Sequence, residues 1–260
     1  MTKVLIVIPA RFASERFPAK VLADLEGKPM IQWVWEKATA ATRADDVIIA
    51  TDNERVEKAA QAFGAKVVMT SASHRSGTER AAEVATKFTF DIVVNLQGDE
   101  PLFAPQAIDQ LINALKDEDT VQMASLRVKL QKYEEYLDPN VVKVVCDDQG
   151  YALYFSRSPL PFYRGQEVLL KQWKEQGVPP AVKPAPYKHL GIYAYRTDFL
   201  IAFSGLPQCA LEQAEKLEQL RALAWGFKIK VPETEFDSVS VDVKEDLEKV
   251  VAIIRRGKEK

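Results

Sequence analysis

The stretch Lys3-Val-Leu-Ile-Val-Ile-Pro-Ala10 decides the fold. It is continuously apolar and rich in β-branched residues. A strand with one wet face would alternate apolar and polar positions; this one reads as buried on both faces, as in a parallel sheet covered by helices on either side. Working outward, KPMIQWVWEKATAA (28–41) has helical apolar spacing with Pro29 near its first turn. DVIIATD (46–52) is a second buried strand. NERVEKAAQAFG (53–64) is a helix with Asn53 as cap and Gly64 as stop. AKVVMT, SGTERAAEVATKF, DIVVNLQGDEP and APQAIDQLINALK continue the alternation of strand and helix through residue 116. Short connections between such elements are the mark of right-handed βαβ units, and sheets built this way bind ligands beyond the carboxyl ends of their strands.

After about residue 120 the pattern changes. VQMASLRV, NVVKVVCDD and YALYFSRSPLPF read as antiparallel strands, with DDQG turning between the last two. Residues 164–187 carry Pro179, Pro180, Pro184 and Pro186 and are expected to form one long irregular loop. YKHLGIYAYR is a further strand. ALEQAEKLEQLRALAWG is expected to be one amphipathic helix ending at Gly226, KIKVPE and SVSVDV late strands, and KEDLEKVVAIIRR the closing helix.

The totals bound the partners. The chain has 260 residues, 47% hydrophobic and 28% charged, with a net charge of −2. That suits one α/β domain and argues against a general nucleic-acid-binding surface. Two cysteines, Cys146 and Cys209, make neither a disulfide framework nor a zinc set. No apolar run approaches the roughly 20 residues of a membrane span. The first residues lack the h-region and cleavage site of a signal peptide, so the expected location is the cytoplasm.

Against that balance, Arg11, Arg16 and Lys20 crowd the loop after the first strand. The loop has neither a dinucleotide fingerprint nor a Walker pattern, so it would hold phosphates by side chains; a solvated basic loop is the alternative. NLQGDEP (95–101) follows the fourth strand. There Asp99 would enter the cleft, where a carboxylate can hold Mg2+ while substrate phosphates complete its shell; an exposed acidic turn is the alternative. In HRSGTER (74–80), Ser76, Gly77 and Thr78 open a helix, either as an anion site or simply as a cap completed by Glu79. His189 and Tyr193 share one face of a strand and could read sugar hydroxyls, unless His189 is a satisfied core residue. Glu218 and Gln219 read by themselves as helix surface. Asp242 reads as a helix cap or as a second metal carboxylate brought beside Asp99.

In order, IPARFASERFPAK, GKPMI, ATD, HRSGTER, NLQGDEP, YALYFSRSPLP, KHLGIYAY and VDVKEDL span about residues 3–250. This set closely resembles the 3-deoxy-manno-octulosonate (Kdo) cytidylyltransferases, also called CMP-Kdo synthetases. The resemblance implies a Rossmann-like nucleotidyltransferase fold, with a mixed, mostly parallel sheet flanked by helices. It implies a single domain over 1–260, in which a smaller antiparallel region at about 121–195 serves the sugar site and a homodimer interface. It implies Mg2+-dependent transfer of CMP from CTP to the anomeric 2-hydroxyl of Kdo, for lipopolysaccharide biosynthesis. Relatives acting on the 8-amino analogue of Kdo, or on another 2-keto acid sugar such as sialic acid, are the alternative. Carried over motif by motif, Arg11, Arg16 and Lys20 hold the triphosphate, and Ser76, Gly77 and Arg80 line the cytidine pocket. Gln97, Arg157, His189, Tyr193, Glu218 and Gln219 form the sugar side, and Asp99 and Asp242 hold the metal. Two positions depart from the family's habit: Ala19 stands where glycine is usual, which matters if that position needs a positive φ, and Val243 stands where threonine is common.

Overall fold

A computed structural model describes residues 2–12, 17–179 and 181–258. The strands are β1 (Val4–Pro9), β2 (Asp24–Leu25), β3 (Lys28–Pro29), β4 (Asp46–Thr51), β5 (Lys66–Met69), β6 (Ile92–Asn95), β7 (Met123–Lys129), β8 (Lys143–Cys146), β9 (Ala152–Ser156), β10 (Tyr187–Arg196) and β11 (Ile229–Lys230). The helices are α1 (Met30–Thr39), α2 (Glu54–Ala62), α3 (Gly77–Ala85), α4 (Pro105–Lys116), α5 (Tyr133–Leu137), α6 (Glu167–Gln176), α7 (Thr197–Ser204), α8 (Ala210–Glu215), α9 (Gln219–Ala224) and α10 (Lys244–Lys258). None of the described helices is long and apolar enough to cross a membrane.

The first strand lies where its composition puts it. All six of its residues are buried. Val4, Ile6 and Ile8 pack on one sheet face with Ile31 and Val34 of α1 and Ile108 and Leu111 of α4. Leu5 and Val7 pack on the other with Ala81 and Val84 of α3 and Phe199 and Phe203 of α7. A run with no polar alternation is the pattern for a strand covered on both faces. The main sheet runs β11-β7-β10-β6-β1-β4-β5, with β8 and β9 joined through β10. Pairing is parallel from β6 through β1 and β4 to β5, and antiparallel where β10 meets β6, β7 and β8. The antiparallel strands between 121 and 195 are therefore continuous with the parallel core.

β1 pairs with β4 on one side and β6 on the other, so the chain leaves its carboxyl end in both directions. That is the switch point at which open α/β sheets form a crevice. The loops after β1 and β6 flank it.

Three expectations need correction. Residues 164–187 are not one irregular loop, because 167–176 form α6. Its Trp173 is completely buried against Tyr133, Tyr136 and Tyr163, and its indole N–H donates to the Gln131 carbonyl. One large aromatic anchor stabilises a helix on which Val168 and Leu169 remain exposed. The stretch 210–226 is not one helix: it breaks into α8 and α9 at Lys216, which adopts φ 54°. Tertiary partners on either side set the break. The Glu215 carboxylate accepts from Ser156 Oγ at 2.6 Å and from the Arg157 N–H at 2.9 Å, and Glu218 accepts from Thr78 Oγ1 at 2.6 Å. Lastly, SVSVDV (238–243) joins no sheet ladder. It crosses the turn after β6, where the Val241 N–H donates to the Asp99 carbonyl at 2.9 Å.

Candidate active site

The crevice is closed by glycines as much as by charges. After β6 the chain turns at Gly98 directly against β1. A Cβ at Gly98 would lie 2.9 Å from the Pro9 carbonyl oxygen, a contact side-chain carbons do not make. A Cβ at Gly77 would lie 3.0 Å from Pro9 Cγ and 3.1 Å from Gln97 Oε1. Loops from β1, β6 and the head of α3 thus meet closely because two of them carry no side chain there.

Their charged residues converge. Lys20 begins a short 3-10 turn, Lys20–Leu22, preceded by Ala19 in the left-handed region at φ 56°. Its ammonium lies 2.5 Å from Asp99 Oδ2 and 3.6 Å from Asp242 Oδ1. One cation therefore faces two carboxylates, brought from the β6 turn and from the segment before α10. The backbone N–H groups of Asp242 and Val243 both donate to Asp246 at 3.2 Å, so Asp246 serves the head of the closing helix.

Arg11, Lys20, Ser76, Gly77, Arg80, Gln97 and Asp99 line one cavity of about 150 Å³. Arg16 lies outside the described residues. Ser76 caps α3 by accepting from the Glu79 N–H at 3.1 Å, while Glu79 accepts from the Arg75 N–H at 2.8 Å, so capping and cavity lining are both real. Arg80 is buried. It donates to Asp52 at 2.9 Å and to Thr70 Oγ1 at 2.5 Å, which ties α3 to the ends of β4 and β5.

A polar chain leads from this cavity to the other expected residues. Gln97 donates to Asn95 at 3.3 Å, Asn95 to Thr78 at 3.4 Å, and Thr78 to Glu218 at 2.6 Å. Burial raises the Glu218 carboxyl above its ordinary range, opposed by the Thr78 hydroxyl and by Arg221. Gln219 is buried next to it, and its Nε2 has no hydrogen-bond partner among the described residues. An orphaned buried amide of this kind marks a place where a ligand or water completes the hydrogen bonding.

His189 and Tyr193 do share a face, with ring centroids 5.4 Å apart. His189 is also a satisfied core residue: it meets Ser125 Oγ at 2.9 Å and the edge of Phe155, and burial pushes its imidazole down to about 3. Arg157 does not line the cavity. Its guanidinium donates to the carbonyls of Pro139, Glu215 and Lys216 at 2.8, 2.7 and 3.5 Å, fixing the break between α8 and α9. The sequence places Thr78 only at the head of a helix, not as a hydroxyl donor to Glu218, and does not single out Asn95 or Glu215, although Asn95 lies within a quoted motif. A short hydroxyl or amide side chain gives no periodic or charge signal of its own.

Comparison with known proteins matches this arrangement to one group. A family described as cytidylyltransferase matches residues 5–229. The 3-deoxy-manno-octulosonate cytidylyltransferase of Geobacter metallireducens is 50% identical over 254 residues, covering 98% of each chain. That of Pelobacter propionicus is 52% identical over 243 residues, covering 94% of each. A structure described as CMP:2-keto-3-deoxy-manno-octonic acid synthetase complexed with CTP superposes with a TM-score of 0.89 at 42% identity, covering 98% of this chain and 100% of that one. A 4-diphosphocytidyl-2C-methyl-D-erythritol synthase from Anaerococcus prevotii, at 12% identity and a TM-score of 0.62, shares the fold alone. With identity near one half along almost the whole length, the chain belongs to the cytidylyltransferase family, among the 3-deoxy-manno-octulosonate cytidylyltransferases.

Proposed function

We propose that this protein transfers CMP from CTP to the anomeric 2-hydroxyl of Kdo, giving CMP-Kdo and pyrophosphate for lipopolysaccharide biosynthesis. The observation that carries the reading is the convergence of Lys20, Asp99 and Asp242 in the crevice beside Arg11. In-line displacement at phosphorus needs positioning and charge neutralisation rather than a covalent nucleophile. Arg11, Arg16 and Lys20 hold the triphosphate and offset the charge gathering on the departing pyrophosphate. Ser76, Gly77 and Arg80 line the cytidine pocket. Gln97, Tyr193, Glu218 and Gln219 orient the sugar so that its hydroxyl oxygen lies in line with the α-phosphorus, and His189, packed against Tyr193, supports that side from within the sheet. Arg157 serves that side by holding the backbone at 215–216, from which Glu218 and Gln219 project.

The carboxylate pair fits a magnesium ion. Among the described residues no cluster of three or more His, Cys, Asp or Glu side chains is suited to a metal. Two carboxylates are what Mg2+ takes from a protein when phosphate oxygens and water complete its shell. The approach of Lys20 to both carboxylates marks that spot as one built for positive charge. Bound there through Asp99 and Asp242, Mg2+ would neutralise phosphate oxygens and lower the pKa of the attacking hydroxyl.

We take the enzyme to act in the cytoplasm, where CTP is available, and as a homodimer joined through residues 121–195. That region carries Phe162, 81% exposed, with Val168 and Val178 exposed nearby on the same segment. Sedimentation at twice the chain mass of 29.2 kDa is the expected result. The activity is tested by pyrophosphate release from CTP with Kdo, its 8-amino analogue and sialic acid in parallel. Release with Kdo is expected, together with a loss on the order of a hundredfold in Asp99→Asn. Absence of release with every sugar overturns the reading.

A further inference from the structure

Asp242 reaches the crevice on a segment that has no sheet ladder to hold it. Between β11 and α10 the chain is fixed at separated points. The Val231 N–H donates to the Gly150 carbonyl at 2.8 Å, the Thr234 N–H to the Arg127 carbonyl at 2.8 Å, and the Val241 N–H to the Asp99 carbonyl at 2.9 Å. Six residues separate Thr234 from Val241. Over that span Phe236 and Val239 pack against the core, and two polar side-chain contacts reach the elements that carry the site. Ser238 Oγ donates to the buried Glu100 carboxylate, and Asp237 Oδ1 lies 2.5 Å from Lys188 Nζ.

Both partners are tied to the site. Glu100 directly follows Asp99, and Lys188 directly precedes His189 on β10. Burying a carboxylate is costly unless it is hydrogen-bonded, and here a hydroxyl meets it from the segment that must be held. The result is a clasp: the residue after the first metal carboxylate grips the chain four residues before the second.

We propose that Glu100 and Ser238, supported by the Lys188–Asp237 ion pair, act as positioning residues that set Asp242 at its working distance from Asp99. The proposal rests on the reading of Asp99 and Asp242 as the metal carboxylates. None of the four clasp residues need touch substrate. Their part is to fix the spacing of two oxygen ligands, a quantity on which Mg2+, with its demand for near-octahedral geometry, is unforgiving. Loss of a group that orients a metal ligand typically weakens metal binding by ten- to a hundredfold.

The test measures binding of Mn2+ to the full-length protein with CTP present and Kdo absent, by the electron paramagnetic resonance signal of the free ion. Ser238→Ala is expected to weaken Mn2+ binding on the order of tenfold, and Ser238→Thr, which keeps the hydroxyl, to restore it. Asp237→Asn, at an exposed position, should weaken it in the same direction. Asp242→Asn is the control for the underlying reading and should abolish tight binding. If Asp242→Asn binds Mn2+ like the parent, the carboxylate pair is not the metal site. If Asp242→Asn loses Mn2+ while Ser238→Ala and Asp237→Asn keep parental affinity, the positioning proposal is overturned. It is equally overturned if Ser238→Thr is as impaired as Ser238→Ala, since the hydroxyl is then not what matters.

Discussion

Two adjacent residues show how local chemistry sets the behaviour of the site. Ala19 stands at φ 56°, the left-handed region where a Cβ crowds the following carbonyl. The backbone there requires what glycine offers freely, so an alanine at this position carries strain. Replacement by glycine relieves that strain but adds freedom to the unfolded chain, and the two effects partly cancel. Ala19→Gly is expected to stabilise the protein by up to about 1 kcal/mol, read from the urea midpoint; a destabilised variant would show that the alanine is unstrained. Lys20 follows directly. If Asp99 and Asp242 hold the metal as proposed, its entry would displace the Lys20 ammonium that lies against both, and the released cation would find its new counterion in the triphosphate. Metal and nucleotide then assist one another's binding, as linkage requires. Lys20→Met should therefore bind Mn2+ about tenfold more tightly than the parent in the absence of nucleotide, although its turnover falls. Equal or weaker binding in that variant would rule out competition.

At the scale of elements, α6 shows what one side chain can organise. Trp173 is fully buried, packed edge-on to Tyr133 and tilted against Tyr136, in a cluster separate from the main core. Trp173→Ala should cost about 3–5 kcal/mol within this cluster. Circular dichroism should report loss of helix, while the parallel half of the sheet keeps its hydrogen-exchange protection. Loss of protection throughout the sheet would mean that the cluster is integral to the main core. The same helix marks a limit of what the sequence makes legible. Elements that bury a whole face announce themselves: β1 by its unbroken apolar run, α2 by the Asn53 cap and the Gly64 stop, α3 by Ser76. The helix around Trp173 buries one residue of ten, and its flanking prolines give the stronger signal. The α8–α9 break is hidden for a different reason: local propensity favours a continuous helix, and partners distant in sequence, Ser156 and Arg157 for Glu215 and Thr78 and Ser76 for Glu218, hold these residues in positions that break it. The candidate site follows the same division. Charged residues after strands, such as Lys20 and Asp99, are legible from position. The chain from Asn95 through Thr78 to Glu218 becomes visible only once the fold joins it.

For the molecule as a whole, the strand that joins the two halves of the sheet also carries a titration with a global consequence. β10 hydrogen-bonds to β6 on the parallel side and to β7 and β8 on the antiparallel side, so exposing it means opening the sheet. His189 lies on this strand, enclosed by Ser125, Phe155 and Tyr193, and among the described residues it pairs with no carboxylate. Burial lowers its pKa to about 3, against an ordinary 6.5. The sign follows from linkage. Below 6.5 the unfolded chain takes up a proton on this histidine, while the folded chain does not until near 3. The stabilisation from keeping His189 neutral is thus complete above 6.5 and is lost as the pH falls. Between pH 6.5 and 5 this amounts to about 2 kcal/mol. Carboxylates elsewhere also titrate as acid is added, so the absolute pH dependence of the parent does not isolate the effect. The difference between parent and His189→Gln does, because the other groups are common to both. The variant should be less stable at pH 7, where its amide replaces a well-packed imidazole, yet lose about 2 kcal/mol less than the parent between pH 7 and 5 when urea unfolding is measured at each pH. Parallel pH profiles for the two proteins would mean that His189 accepts a proton in the folded state, and that the centre of the sheet is open to water.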